Sequence, residues 1–351
     1  TLQLNNGNGT WSEVGQLAGV ARTDWSWAPL FCDLDNDGWK DLLITNGYLH
    51  DVRDNDYARA VYDTIHTGSG YFGTLGLVPS TKLRNYLFRN NGDLTFADSS
   101  QSWGFTEPVN SNGAAYADLD NDGDMDALVG TSSFFTGGHE LRRNDGGVFT
   151  DVTAGSGWAD FAGTSIQHVT HDFDNDGWLD IMGGGGTILM NNGDMTFTSN
   201  PVGFEVGAVG DVNNDGFLDM LRDNALRLNA GNDNHWIRVQ PVGTVSNRNA
   251  IGARVTITTA AGSQVREIRS GDGFTFMSTL AAHFGIGQET AIEQVIVRFP
   301  SGIVNTVNDP PIDGTLTIVE EVSTDVSVNT APALRVHPVP TSGLLQVTGI
   351  R

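Results

Sequence analysis

The sequence contains a single cysteine, few basic residues and no long apolar run. Because Cys32 is the single cysteine, no disulfide can form within the chain. It lies next to Phe31 and near Leu34, so a small buried hydrophobic residue is expected there. Lys and Arg number 19 against 42 Asp and Glu. The net charge of -23 disfavours nucleic acid and anionic lipid, because both bind basic surfaces. Since apolar runs of about 18 residues are absent, the sequence predicts no membrane span.

Several catalytic signatures are also missing. The sequence has no HExxH, GxSxG or Walker A motif and no paired-cysteine metal site. His168 and His171 lie three apart on a predicted strand and project to opposite faces, which disfavours a joint metal role. His283, before Phe284 and Gly285, is interpreted as structural rather than as a catalytic base.

One acidic nonamer recurs four times. It reads DLDNDGWKD at 33–41, DLDNDGDMD at 118–126, DFDNDGWLD at 172–180 and DVNNDGFLD at 211–219. Short apolar runs flank each copy, a pattern typical of a strand, a loop and a second strand. Internal repeats at such spacing indicate a repeat-built fold.

A second element alternates with the acidic loops: an aliphatic residue, Asn three positions later and Gly two after that. An aromatic residue follows within a few positions. The element predicts a hairpin turn in which Asn and Gly adopt positive φ. Each unit then supplies about four short strands, the size of a β-propeller blade. Its five copies are Leu2/Asn5/Gly7, Leu87/Asn90/Gly92, Leu141/Asn144/Gly146, Ile188/Asn191/Gly193 and Leu226/Asn229/Gly231, followed by Trp11, Phe96, Phe149, Phe197 and Trp236.

An insert at 46–83 separates the first two loops more widely than the others. Residues 51–65 are its helix-friendly stretch, and a glycine-rich loop follows. Insertions between blade strands lie on one face and often bind ligands. A surface loop without a binding function is the alternative, and the sequence leaves both open.

The loop chemistry points to calcium. Ca²⁺ takes about six to eight oxygen ligands, and Asp at positions 1, 3 and 5 can direct carboxylates into one concavity. Gly at position 6 permits the reversal, the position 7 carbonyl adds a ligand, and Asp at position 9 can close the shell. The predicted ligands are Asp33, Asp35, Asp37, Trp39 and Asp41; Asp118, Asp120, Asp122, Asp124 and Asp126; Asp172, Asp174, Asp176, Trp178 and Asp180; and Asp211, Asn213, Asp215, Phe217 and Asp219.

Two alternatives compete with four structural Ca²⁺ ions. A single such loop can be an Asx-rich turn without metal, but four copies disfavour this. An EF-hand needs Glu at position 12 between helices, where this chain has Ile44, Val129, Gly183 and Arg222. The fourth loop has one carboxylate fewer, so we expect it to bind most weakly.

These loops resemble the FG-GAP/VCBS repeats of integrin-α-like propellers over about residues 1–228. The resemblance implies calcium-binding blades of an all-β propeller, commonly of seven blades. Because Thr1 falls within a unit, we expect upstream blades to be missing. We assign 1–230 to this region, with the insert at 46–83.

After residue 230 the composition changes to alternating strands separated by turns, which predicts a small β-sandwich over 231–322. The predicted strands are 236–240, 254–259, 264–268, 295–299 and 316–319. The segments NRNAIGAR, HFGIG and FPSG resemble the ASPIC/UnbV domain, which follows FG-GAP repeats in the cartilage acidic protein family. Phe299 stands where that family usually has Trp.

The tail divides into a polar linker at 323–334 and a segment at 335–351. RVHPVPTSGLLQV resembles the start of a type IX secretion C-terminal sorting domain, although Val339 replaces the expected Asn. The resemblance implies export, to the extracellular space or a bacterial cell surface.

The leading functional hypothesis is a secreted or cell-surface protein, not an enzyme, that acts in adhesion or binds an extracellular protein or glycan. The rival is a polysaccharide-active enzyme or its accessory module, for which Glu107, Glu140 and Glu205 are unassigned carboxylates. A purely architectural spacer is the third alternative.

Overall fold

The computed structural model describes residues 1–47, 50–51, 55–56, 59, 62, 78–130, 139–158, 168–272 and 276–321. Residues 1–320 form one compact unit, and 321–351 are grouped separately. The chain is all-β, as the sequence predicted. Within the insert, Asn55, Asp56, Arg59 and Tyr62 have helical backbone. The rest of 51–65, the glycine-rich loop, the linker and the sorting-like segment lie outside the described residues.

The repeat region is a series of antiparallel sheets. A two-stranded hairpin, β1–β2, precedes three four-stranded blades, each of them paired in chain order, and a three-stranded fourth blade. The strands are β1 Gln3–Asn5, β2 Trp11–Glu13; blade 1, β3 Ser26–Cys32, β4 Asp41–Asn46, β5 Tyr86–Asn90, β6 Phe96–Asp98; blade 2, β7 Gly113–Ala117, β8 Asp126–Gly130, β9 Glu140–Asn144, β10 Phe149–Asp151; blade 3, β11 Val169–His171, β12 Asp180–Met182, β13 Thr187–Asn191, β14 Phe197–Pro201; and blade 4, β15 Ala208–Gly210, β16 Asp219–Arg222, β17 Ala225–Arg227.

Successive blades pack through apolar clusters between their faces. Leu43 and Leu87 of blade 1 share a cluster with Tyr116 and Phe149 of blade 2. The same arrangement joins blade 2 to blade 3 and blade 3 to blade 4. Cys32 is buried within the first of these clusters, as expected from its apolar neighbours. The alternation of loop and turn therefore produces stacked sheets whose acidic loops all join the first two strands of a blade.

The C-terminal β-module, residues 231–320, consists of two further sheets. One has the order β21–β18–β24, with β18 and β24 parallel, and the other has the order β20–β19–β22–β23. Ile237, Val255, Phe284, Val297 and Phe299 belong to the core between them. The strands are β18 His235–Val242, β19 Arg254–Thr259, β20 Gly262–Glu267, β21 Ala282–Gly287, β22 Gln294–Arg298, β23 Val304–Asn308 and β24 Gly314–Val319.

The strand predictions for this module overlap observed strands, but β21 and β23 were not predicted. Apolar residues in β21 are consecutive rather than alternating, and four of its first five residues are hydrophobic or glycine within a fully buried run. An alternation test does not detect such a strand. Phe299 is buried in the core, so an aromatic residue at that position keeps its packing role.

Candidate metal centre

Two residues of each acidic loop have left-handed backbone. The position 4 asparagines Asn36, Asn121, Asn175 and Asn214 have φ of 55–59°, and the position 6 glycines that follow have φ of 86–100°. Asn and Gly are the residues that tolerate this region at low cost. The two turns fold the loop back so that side chains at positions 1, 3 and 5 converge.

Three of the loops bring carboxylate oxygens together. In each group the potential ligand atoms lie within 4.8 Å of one another. The first two groups use positions 1, 3 and 5, whereas the third uses positions 1, 3 and 9. The groups are Asp33/Asp35/Asp37, Asp118/Asp120/Asp122 and Asp172/Asp174/Asp180. All-oxygen clusters suit a hard cation, so these three sites can hold metal ions and are compatible with calcium.

Buried carboxylate oxygens without partners favour a bound cation. Both carboxylate oxygens of Asp118, and one each of Asp33 and Asp120, are buried without a hydrogen-bond partner among the described residues. Burial raises the pKa of Asp118 and of Asp172 to about 7; neighbouring aspartates add to this rise, and the positive charge of Arg266 opposes it. Burying a carboxylate without a partner costs free energy. A bound divalent cation offsets this desolvation cost and the repulsion between neighbouring aspartates. The donor set therefore fits Ca²⁺.

The aspartates at position 9 accept hydrogen bonds from backbone N–H groups of their own loop and of the hairpin turn. Both oxygens of Asp41 accept backbone N–H groups, from Leu34 at 2.9 Å and Asn90 at 2.8 Å. Asp126, Asp180 and Asp219 repeat this pattern in their own loops. Burial raises the pKa of Asp41 to about 6. Each carboxylate oxygen has further lone pairs, so the predicted ligand role of position 9 stays a prediction.

The asparagine of each hairpin turn has a function that the sequence interpretation missed. Its glycine has positive φ as predicted, but the asparagine does not. Instead, the Asn144 amide donates to the carbonyl of Leu34 in the preceding loop at 2.8 Å and of Met125 in its own loop at 3.1 Å. Asn191 and Asn229 make the equivalent pairs of bonds. The regular spacing of these asparagines from the acidic loops was the available signal.

Position 7 side chains pack onto the hairpin turns. The indoles of Trp39 and Trp178 lie against Gly92 and Gly193, and the Phe217 ring lies against Gly231. In the second loop Asp124 instead accepts a hydrogen bond from the Gly146 N–H at 2.6 Å. These contacts fix the loop against its turn, and the predicted ligation through the position 7 carbonyls stays a prediction.

The four loops differ in their ion pairs with arginine. Arg89 forms ion pairs with Asp35 and Asp37 of the first loop. Arg238 donates to Asp211 of the fourth loop at 3.3 Å, and the Asn213 amide donates to Asp215. Among the described residues, the fourth loop does not form a group of three carboxylates like the other loops. In the described part of the chain, no arginine or lysine ion-pairs with the second or third loop.

The C-terminal module contacts the loops directly. Arg254 donates to the Asn36 side chain and to the Gly123 carbonyl, which lie in two successive loops. His283 Nε2 donates to Asn175 Oδ1 at 2.8 Å, and burial lowers the pKa of His283 to about 3. Lys40, at position 8 of the first loop, pairs with Glu267 of β20 at 2.5 Å. His283 thus holds the module to the third loop, which agrees with its structural interpretation.

His168 and His171 lie in different environments. His171 Nε2 lies 2.9 Å from Asp272 Oδ2. His168 is buried beside Trp158 and His139 instead. Of the unassigned glutamates, Glu140 pairs with Arg142 at 3.0 Å. The candidate site of the described residues therefore remains the set of acidic loops.

Segments in both parts of the chain match known family models. Residues 1–44 and 75–129 match the FG-GAP-like repeat, and residues 243–325 match the ASPIC and UnbV family. The FG-GAP-like match includes the first two acidic loops and not the third and fourth. The structure extends the same loop and turn geometry to those two.

Three curated relatives carry the name cartilage acidic protein 1. The human protein is 30% identical over 255 residues, which cover 62% of this chain and 37% of the relative. The mouse protein is 28% identical over 287 residues, covering 71% of this chain and 43% of the relative. The Xenopus tropicalis protein is 29% identical over 262 residues. The matched regions thus cover 37–43% of the length of the mammalian relatives.

Proposed function

We propose that this chain is a secreted or cell-surface calcium-binding protein. Its FG-GAP-like repeats are followed by an ASPIC and UnbV domain, and it is homologous to cartilage acidic protein 1. Its repeat region binds another protein or a glycan and catalyses no reaction. The observation that carries the proposal is the burial of partnerless carboxylate oxygens at Asp118, Asp33 and Asp120. Extracellular calcium is abundant enough to occupy sites of this class.

The calcium ions act structurally in this proposal. The loops that would hold them also contact the hairpin turn of their own blade and the C-terminal module, through Asp41, Arg254 and His283. A cation that fixes the loop therefore also fixes the hairpin turn of the blade and the contact with the C-terminal module. About four ions, one for each loop, would reduce the repulsion that a net charge of -23 produces.

The proposal of an extracellular location rests on two supports. The acidic loops suit a calcium-rich medium, and the tail resembles a secretion-linked sorting segment. No helix among the described residues is long and apolar enough to cross a membrane.

Calorimetric titration with Ca²⁺ tests the metal part. We expect saturable binding to the second and third loops, lost separately in Asp118→Asn and Asp172→Asn, with Asp93→Asn as an exposed control. The absence of calcium binding would overturn it. A glycan and extracellular-protein array with the Ca²⁺-loaded chain tests the binding part. Polysaccharide turnover, abolished by substituting Glu107, Glu140 or Glu205, would contradict the non-catalytic role.

A further inference from the structure

The asparagine at position 4 of each of the first three acidic loops reaches into the next loop along the chain. Its side-chain amide donates to the carbonyl oxygen of the glycine at position 6 of that following loop. The bonds join Asn36 to Gly123 at 3.5 Å, Asn121 to Gly177 at 3.1 Å and Asn175 to Gly216 at 2.9 Å. Because the same donor and acceptor positions recur at every step, the bond is a property of the repeat.

The acceptor carbonyl belongs to a peptide group that also holds a predicted ligand. In the third loop, the carbonyl of Gly177 accepts the Asn121 amide, and the N–H of the next residue, Trp178, donates to Asp176 Oδ1 at 2.9 Å. The first, second and fourth loops have the same N–H bond from position 7 to position 5, at 2.8–2.9 Å. One peptide group therefore connects the asparagine of one loop with the position 5 carboxylate of the next.

The donor side chain starts between two carboxylates of its own loop. Asn121 lies between Asp120 and Asp122, which both belong to the second carboxylate group. A cation bound to both aspartates fixes the left-handed backbone between them, and with it the direction of the Asn121 amide. A carbonyl that accepts a hydrogen bond also makes the N–H of its peptide group a stronger donor. Order imposed on the second loop can therefore reach the Asp176 carboxylate of the third.

The second and third loops are the pair in which this link can be isolated. Among the described residues, neither loop forms an ion pair with arginine or lysine, unlike the first and fourth loops. Asn191 also joins the two loops, but its bonds end on the carbonyls of Leu119 and Leu179. Removing the Asn121 amide leaves those bonds in place, so the loops stay joined while the link to the Gly177 carbonyl is lost.

We propose that the position 4 asparagines are positioning residues that couple calcium binding at successive loops. Calcium at the second loop raises the affinity of the third through Asn121, and calcium at the third raises the affinity of the second by the same factor. Each occupied loop orders part of the next, so the later ion loses less conformational entropy on binding. The inference rests on the proposed calcium binding and deepens it, because coupled loops fill over a narrower range of calcium concentration than independent ones.

Terbium luminescence can follow the third loop, because Trp178 lies at its position 7 whereas the second loop has Asp124 there. The part of the signal that Trp178→Phe removes is assigned to the third loop. Titrations compare the full parent chain with Asp118→Asn, Asn121→Gly and the double variant. Glycine at 121 keeps the left-handed backbone and removes the amide. We expect Asp118→Asn to weaken third-loop binding at least about fivefold in the parent chain but less than about twofold in Asn121→Gly.

Asn214→Gly is the matched control. Asn214 has position 4 of the fourth loop, and its amide donates to no carbonyl of another loop among the described residues; its Oδ1 accepts from Arg238. In this background Asp118→Asn should weaken the third loop as much as in the parent chain. Asp122→Asn, at an exposed position of the second loop, disables that loop in a second way, so the test does not depend on whether Asp118→Asn folds.

Equal effects of Asp118→Asn with and without the Asn121 amide overturn the proposal. A third-loop affinity that stays unchanged or rises when the second loop is disabled overturns it as well, since repulsion between neighbouring ions would produce such a rise. Binding at both loops without coupling contradicts this inference and leaves the proposed metal role intact. The absence of any binding contradicts both, so the two failures are distinguishable.

Discussion

The side-chain amide of Asn191, in the hairpin turn of blade 3, donates to the backbone carbonyl of Leu119 in the acidic loop of blade 2 at 2.8 Å. The same amide donates to Leu179 of its own loop at 3.0 Å. One side chain thus bridges two repeats that lie far apart in sequence. Because Asn144 and Asn229 do the same, the acidic loops form a continuous ladder through the described blades.

Replacing Asn191 with Ala should destabilise the chain by about 2–4 kcal/mol. The change removes two buried hydrogen bonds and leaves two carbonyls without donors. Asn192→Ala is the matched control, since Asn192 is exposed and bonds only within its own hairpin. We expect this control to cost less than about 1 kcal/mol. Urea unfolding compares the two, and equal losses would contradict the ladder.

Calcium removal should lower the melting temperature of the parent chain more than that of Asp118→Asn. A ligand at about one hundred times its Kd stabilises the folded state by about 2.7 kcal/mol for each site. Losing the second site removes that share of the calcium-dependent gain. Differential scanning calorimetry with Ca²⁺ and with EGTA measures the difference, with Asp93→Asn as control. A melting temperature indifferent to EGTA would contradict metal binding altogether.

The four loops should differ in affinity, with the first weaker than the second and third, and the fourth weakest. Arg89 pairs with two carboxylates of the first loop, and Arg238 pairs with Asp211 of the fourth. A cation must displace a guanidinium at these loops. Arg89→Gln should therefore raise calcium affinity at the first loop several-fold.

Terbium luminescence can follow that loop, because Trp39 lies within it. The background Trp178→Phe with Trp236→Phe removes the tryptophans beside the third and fourth loops. Arg84→Gln is the control, since Arg84 pairs with Asp98 outside the acidic loops. An unchanged or lower terbium affinity in Arg89→Gln would sink the competition argument.

The sequence predicted the glycine positions of the loops and turns because their geometry is local. Position 6 of the nonamer requires left-handed backbone, and Gly marks that position plainly. The left-handed Asn at position 4 was not predicted, and the hairpin-turn Asn lacks the positive φ that was expected of it. The role of Asn144 was not predicted, because its partners Leu34 and Met125 belong to different repeats. Arg238 was missed for the same reason, since it reaches the fourth loop from the C-terminal module. The fourth blade was expected to have about four strands, but its aromatic residue Trp236 packs elsewhere.

Gly285→Ala should destabilise the chain and weaken calcium binding at the third loop. An added Cβ at Gly285 would overlap with the Asn175 backbone and the Asp172 carboxylate. Overpacking of this kind typically costs about 1–3 kcal/mol. Gly314→Ala is the control, because a Cβ there meets nothing closer than 3.9 Å. If the variant loses stability but its calcium affinity at the third loop is unchanged, the packing of the C-terminal module does not influence metal binding.

Glu320, after the end of β24, should make the stability of the chain depend on pH in the acidic range. Its Oε2 accepts three successive backbone N–H groups, from Thr244, Val245 and Ser246, each at 2.7 Å. Burial opposes ionisation, but hydrogen bonds from Ser301, Ser246 and Thr244 outweigh it and lower the pKa from 4.5 to about 2. Because the folded pKa is depressed, the stabilisation is fully present above pH 4.5 and is lost as pH falls towards 2.

Glu320→Gln removes the charge and should cost about 2 kcal/mol at neutral pH. The difference between parent and variant should then shrink below pH 4.5. Urea unfolding from pH 7 to pH 3 measures both curves, with Glu293→Gln as control, and parallel curves throughout would show that the carboxylate is not held by these donors.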